Sequence, residues 1–465
     1  MSIDAVTALN RFGLGARPGD LARVAPGPRE ALRAELRPDQ ALVPPGTGSL
    51  AGTAANLQAA FAAEEARKDA HAAQAPFRPL LLPSAMTGGA TTPAPPQPEA
   101  AIYRAEAQAR FGMAQAAGIG FLERLVAFWS NHFCVSAAKG QLLRASAGSF
   151  EREAVRPFVL GRFAELLLAV ERHPAMLSYL DNARSVGPGS RIGAKGRRGL
   201  NENLAREILE LHTLGVDGGY GQGDVTALAR VITGWTVAGR DGRLGDPGGF
   251  AFDAAMHEPG DQVVVGRAYL GGGFGQGEAA LNDIARHPAT AHHVATNLVR
   301  HFIADDPPPA AVARIAAVFR ARDGDLHAVS LALVDLPEAW SAPPTKLRSP
   351  YDLLVATVRL LGAPDEAGAL LGGLRLLGQP LWEPPGPNGF PDTDAAWASP
   401  EALKLRLDLA AQAARRQGAA ADPLGLLDAA AGAALTPETR AAVARAESRQ
   451  QGLAIALMSP EIQRR

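Results

Sequence analysis

At 465 residues, 47% hydrophobic and 20% charged, the chain can bury one large core or two ordinary ones, which excludes an intrinsically disordered polymer. Lys and Arg number 46 against 47 Asp and Glu, so the formal net charge of −1 offers no overall attraction to nucleic acid or an anionic membrane. The single cysteine, Cys134, excludes an internal disulfide.

No apolar run approaches the roughly 18 residues of a membrane-spanning helix. The stretch 163–170 is broken by Glu165 and flanked by Arg162 and Glu171. The opening MSIDAVTALNRFGLG has neither the basic n-region nor the apolar h-region of a secretory signal, so a soluble cytoplasmic protein is the expectation.

Plentiful alanine, with five Tyr and five Trp, favours helix over sheet. An opening helical segment covers 5–35, and APFRPLLLPSAMTGGATTPAPPQPE (75–99) reads as an extended connector, because its prolines remove backbone donors. Helical spacing then predicts helices over 101–118, 119–133 and 148–172; Phe121, Leu125, Phe128 and Trp129 show it in the second. A glycine-rich loop, 186–200, carries Arg191, Lys195, Arg197 and Arg198, and reads as a solvated loop. Helices follow over 201–214, stopped by Gly215, and over 222–233. Phe250 and Phe252 alternate with small residues, and Val263 to Val265 follow the Pro259-Gly260 turn. Helices resume over 278–319, 325–336 and 348–362, before a Pro- and aromatic-rich segment (379–397) and the closing helices. LALVDLPEAW (331–340) and IALMSPEIQ (455–463) echo one another, each a helix end followed by Pro-Glu. The expected fold is all-α, a large multi-helix bundle with one minor β-hairpin around 249–269. Its expected parts are an N-terminal helical segment (1–44), an Ala/Gly/Pro-rich insertion and linker (45–100) and a main helical domain (101–465).

Several segments occur together in order: FWSNHFCVS (128–136), AMLSYLDNARS (175–185), NENLAREILELHTLGVDGGY (201–220), ARVITGWTV (229–237) and HEPG (257–260). RHPATAHHVATNLVRHFIADDPPP (286–309), KLRSPYDLL (346–354) and LGQPLWEPPGPNGFP (377–391) complete the series. The series resembles a bacterial family catalogued as domain of unknown function 1800, over nearly the whole chain apart from 45–100. The resemblance implies a protein partner carrying a twin-arginine export signal, and through it a periplasmic destination by co-export. Two positions depart from the family pattern. His257-Glu258 stands where His-Asp is common, which keeps a carboxylate, and Gly221 stands where a hydroxyl residue is common, which puts the anchoring of the 222–233 helix in doubt.

On an ideal α-helix over 201–214, Asn203, Glu207 and Glu210 share an arc of about 60°. Leu204, Ile208 and Leu211 form the apolar stripe, so the polar arc reads either as a carboxylate site or as an ion-pair network in which Arg206 serves Glu210. His212 lies about 140° from Glu207 on that wheel and reads as a core histidine bonded to backbone. His132, after an aromatic-rich helix, reads as a C-terminal cap or as an acid/base group or ligand. If His132, His257, Asp181 and Glu207 converge, they form a nitrogen–oxygen site suited to zinc, iron or manganese. Ser136 and Lys139 match Ser-x-x-Lys without its companion motifs, and Cys134 reads as a buried thiol. GGGFGQGE (271–278) reads as a loop, and PPGPNGFP, with Trp382, Phe390 and Trp397, as a rigid loop that either lines a cleft or packs on the bundle.

Two functions are therefore expected to compete. One is an enzyme, in its sharper form metal-dependent, with catalytic Glu207, Glu210, Asn203 and His132. The other is a non-catalytic partner or chaperone for a co-exported protein, in which those polar residues are structural.

Overall fold

The computed structural model describes residues 2–41, 50–74, 97–196, 199–362, 367–418 and 421–465. The connector expected over 75–99 lies outside them except at its end, where Pro98 opens a helix, and Arg197 and Arg198 of the basic loop lie outside them too. Helices dominate the described residues, whose strands form two small antiparallel pairs, so the expected mostly α-helical fold is found. No helix among the described residues is long and apolar enough to cross a membrane.

The strand region is built differently from the single hairpin expected. Strand β1 (Trp235–Val237) pairs with β2 (Phe250–Phe252), and β3 (Gln262–Val264) pairs with β4 (Arg267–Tyr269). The tight hairpin is therefore β3–β4, which turns at Val265 and Gly266 with φ of 48° and 72°. Two consecutive positive φ values suit the right-handed twist of a two-residue hairpin. Phe250 and Phe252 instead pair backwards onto the end of ARVITGWTV.

Several predicted helices are interrupted by residues that cannot continue them. The 5–35 segment divides into Ile3–Thr7, Ala8–Phe12, Asp20–Val24 and Pro28–Glu35. The stretch 278–319 divides at His287-Pro288 and at Pro307–Pro309, since proline supplies no N–H and biases the preceding residue away from helix. The glycine-rich 271–278 is only partly a loop, because the helix Phe274–Ala285 begins within it. Gly277 is needed there, as a Cβ would sit 2.5 Å from the Trp235 ring. The helix Thr53–Gln74 falls within the expected insertion and meets the helix Gln141–Phe150 through Thr53 Oγ1, which donates to Ser149 Oγ at 2.7 Å. Asp224 answers the doubt over Gly221: its Oδ2 accepts the Gly221 N–H at 2.8 Å and anchors the helix Gln222–Val231.

Four helices position the site: α1 (Pro98–Ala116), α2 (Phe121–His132), α3 (Pro288–Phe302) and α4 (Pro350–Leu361). The start of α2 is held by Glu35, whose carboxylate accepts the N–H groups of Ile119, Gly120 and Phe121, a strong anionic cap at a helix N-terminus. The carbonyls that α1 leaves unpaired at its end are gathered by Arg359 of α4, which donates to Ala114, Gln115, Ala117 and Gly118 oxygens. The start of α3 uses a histidine cap: His287 Nδ1 accepts the Ala289 N–H at 3.2 Å. In the same Arg-His-Pro-Ala context, His173 Nδ1 accepts the Ala175 N–H at 3.1 Å. Leu353 and Leu360 of α4 face a small C-terminal apolar cluster, while Leu354 and Val355 face the main core.

Three π turns interrupt helical runs, at Ala8–Phe12, Glu151–Val155 and Ile208–His212. Each carries buried polar residues: Asn10 and Arg11, Glu151, and His212. Such turns recur at functional sites because the wider turn re-aims one side chain without ending the helix.

Candidate functional site

A cleft of about 610 Å³ opens between the end of α2, the face of α3, the start of α4 and the loop after Gln379. That volume suits a metabolite-sized ligand. The rigid loop expected around PPGPNGFP lines it and is laced to α2. Asn131 donates from Nδ2 to the Phe390 oxygen and accepts the Phe390 N–H at Oδ1, both at 2.8 Å. Ser136 Oγ donates to the Pro384 oxygen at 2.9 Å, and Trp382 Nε1 donates to Glu151 Oε2 at 2.9 Å. Trp382 takes a left-handed backbone, φ 49°, a strained conformation for a large side chain.

On the cleft wall, His301 of α3 donates from Nδ1 to Asp392 Oδ2 at 2.6 Å. Its Nε2 is buried and has no partner among the described residues. Burial lowers the His301 pKa below its ordinary value, as do Arg465 and Arg124, against the opposing pull of Asp392. The ring is therefore neutral, with its proton on Nδ1 and a lone pair on Nε2. Burial raises the Asp392 carboxyl, but His301, Lys346 and Arg465 outweigh it and hold the group well below the usual carboxylate range. Lys346 Nζ lies 2.6 Å from Asp305 Oδ1 and donates to the Asp392 backbone oxygen at 2.9 Å. Arg465 also lines the cleft, with Nε 3.3 Å from Asp352 Oδ2 and Nη2 3.6 Å from Asp392 Oδ1. These are ion-pair distances without hydrogen-bond geometry, and Nε and Nη1 find no acceptor.

A second group of imidazoles stands at the other end. His132 donates from Nε2 to the His212 backbone oxygen at 3.1 Å, and His293 donates from Nε2 to the Leu211 oxygen at 2.9 Å. Their ring centres are 6.0 Å apart. Burial pushes the His132 pKa well below its ordinary value, with His293 and His212 adding to the effect. Behind them His212 donates from Nδ1 to Glu171 Oε1 at 2.8 Å, both side chains fully buried. Among the described residues no three His, Cys, Asp or Glu side chains are grouped so as to hold a metal ion.

The expected catalytic and metal-ligating residues are thus dispersed, with His132 alone of those six lining the cleft. His257 is buried against Phe252 and donates from Nδ1 to the Thr233 oxygen at 2.9 Å. Asp181 pairs with Lys139 at 2.7 Å, which takes Lys139 away from any dyad with Ser136. Glu207 is half-buried with its carboxyl raised by burial, an effect that His212 opposes. The expected quartet of His132, His257, Asp181 and Glu207 therefore does not gather at one point, since His132, His257 and Asp181 are each held by a different partner. Asn203 is exposed at the start of Asn203–Glu207, its N–H donated to Asn201 Oδ1. Arg206 pairs with Glu202 at 3.4 Å rather than with Glu210, so the expected i, i+4 pair is absent. The run is a π turn from Ile208, which closes i to i+5, and His212 is engaged by Glu171 rather than by Glu207. His212 is a core histidine as expected, but a carboxylate rather than a carbonyl accepts its proton. Cys134 is a buried thiol, pushed up to about 12 by burial.

The sequence reading passed over His301, Asp392, Arg465, His293 and Glu171. His293 and His301 lay inside the quoted RHPATAHHVATNLVRHFIADDPPP, and Asp392 follows the last quoted proline, Pro391. Five of the quoted segments, 128–136, 201–220, 286–309, 346–354 and 377–391, line this cleft, so the signal available in the sequence was their joint occurrence rather than any local spacing. A family model described as "Protein of unknown function (DUF1800)" matches residues 7–464. Neither a curated protein nor a solved structure matches the chain.

Proposed function

The chain belongs to the DUF1800 family of proteins of unknown function, and we propose that this member is an enzyme whose general base is His301, oriented by Asp392. One observation carries the reading: the buried, unpartnered Nε2 of a neutral imidazole on the wall of a metabolite-sized cleft. Asp392 fixes the tautomer that leaves the Nε2 lone pair free. It also stabilises the imidazolium that forms when Nε2 takes a proton from an X–H or C–H group of the substrate. Arg465, next to the same carboxylate, supplies positive charge where the substrate becomes anionic. The test is a cell metabolite extract incubated with wild type and with His301→Gln, followed by mass spectrometry. At least one compound should be consumed by wild type and turned over ~100-fold to 10,000-fold more slowly by the variant at equal thermal stability. Turnover that ignores the substitution would sink the assignment.

A second reading is favoured by Leu403 and Leu407, one turn apart and exposed on the helix Pro400–Gln417. Paired exposed leucines suit docking of a protein partner. On this reading the partner is the twin-arginine protein that the resemblance implies, and the chain leaves the cytoplasm with it. Co-expression and pull-down should then recover that protein with wild type and lose it with Leu403→Lys/Leu407→Lys; unchanged recovery removes this surface from consideration.

A further inference from the structure

We infer that the substrate is a small organic anion whose carboxylate or phosphate group seats against Arg465, beside His301. The inference deepens the enzyme reading and rests on it. Arg465 lines the cleft yet is only 3% exposed, and two of its guanidinium nitrogens, Nε and Nη1, find no acceptor among the described residues. A buried guanidinium with idle donors is the side chain best matched to an oxyanion, because its planar fork meets carboxylate and phosphate oxygens directly.

The floor behind it gathers cations: Arg11, Arg124 and Arg348 each lie within electrostatic range of Arg465. They are not all satisfied locally. Arg11 donates only to the backbone oxygens of Ala339, Ala342 and Pro343. Arg348 donates to Ile462 and Asn10 and leaves Nη1 without an acceptor. Arg124 likewise leaves Nη2 idle beside Asp352. Burial and Arg124 push the Arg348 pKa down to about 9, against Asp352. An incoming oxyanion relieves this repulsion in a low-dielectric setting, where each charge interaction is strengthened.

The rest of the lining fits the rest of such a molecule. Arg110 is already neutralised by Glu151 at 2.8 Å and lies against Tyr351 and Trp382, while Phe128 packs beside His301 with ring centres 5.3 Å apart. A substrate with an anionic head and a flat apolar body would place its head on Arg465 and the adjoining atoms near His301 Nε2, since both side chains lean on Asp392.

The experiment is isothermal titration calorimetry at fixed ionic strength with benzoate, phenyl phosphate and neutral benzyl alcohol. Wild type should bind at least one of the two anions one-to-one and at least tenfold more tightly than benzyl alcohol, the tighter of the two naming the head group. Arg465→Gln should weaken that binding at least tenfold. If Arg465→Gln does not fold, Arg465→Lys replaces it, and the comparison of anions with benzyl alcohol needs no variant. Anions that bind no better than the alcohol, or a folded Arg465 variant that keeps full anion affinity, overturn the inference. Anion binding without any His301-dependent turnover leaves this site standing and removes the general base. Turnover of a neutral compound without anion binding does the reverse.

Discussion

His301 and His132 show how burial, rather than residue type, decides what an imidazole can do. Burial lowers the pKa of His132, His173, His293 and His301 below the ordinary 6.5. The unfolded chain then binds more protons than the folded one, so the stability these residues contribute is full above pH ~6.5 and falls as the solution is acidified below it. Asp352 and Asp392, held low by their cations, add a further loss only below the ordinary carboxylate value of 3.8. Glu207, raised from 4.5, acts in the opposite sense and loses stability as pH rises through that region. Calorimetric melting temperatures should therefore drop between pH 7 and pH 5, and His132→Asn should flatten that drop; a flat profile in wild type contradicts the neutral assignment. Sequence could single out His132 because it follows FWSN, yet nothing in spacing links His301 to Asp392, 91 positions away. A hydrogen bond across that separation is a product of tertiary packing and leaves no local pattern.

Helix positions were legible where periodicity was clean. The expected 101–118, 119–133, 222–233 and 348–362 correspond to Pro98–Ala116, Phe121–His132, Gln222–Val231 and Pro350–Leu361. Breaks were less legible, because His-Pro and Pro-rich junctions sit inside continuous apolar periodicity and the π turns keep it almost intact. The one at Ile208–His212 changes the spacing that an ideal wheel assumes, without changing a letter of the sequence. Capping by distant side chains was invisible for the same reason. Arg359 gathers the last carbonyls of α1 and also donates to the Gly15 oxygen at 3.0 Å, so one guanidinium completes one helix and pins the N-terminal segment. Arg359→Met removes this donor from the Gly15, Ala114 and Ala117 oxygens, while Arg17 still reaches those of Gln115 and Gly118, and should cost about 3 kcal/mol of unfolding free energy in urea titrations. A cost under about 1 kcal/mol would mean that water replaces the guanidinium freely.

For the molecule as a whole, composition was enough to give the helical class, and the echo of LALVDLPEAW with IALMSPEIQ proves architectural. In each case a helix ends, one residue intervenes and proline opens a short helix: Pro337–Ser341 after Leu326–Asp335, and Pro460–Gln463 after Arg449–Met458. Proline at the first helical position forfeits no hydrogen bond and fixes the entry angle. What composition could not give was which elements meet, because that depends on side chains such as Arg348, which joins Asn10 to Ile462 across almost the full length of the chain.

The cleft draws its wall from His132, His301, Asp392 and Arg465. Contacts of such long sequence separation close large loops, and their entropy must be met before they return anything. During synthesis most of the helices have emerged well before the last of these residues does. The wall of the cleft is therefore complete only once segments made far apart in the chain, those of His132 and His301 and those of Asp392 and Arg465, have met.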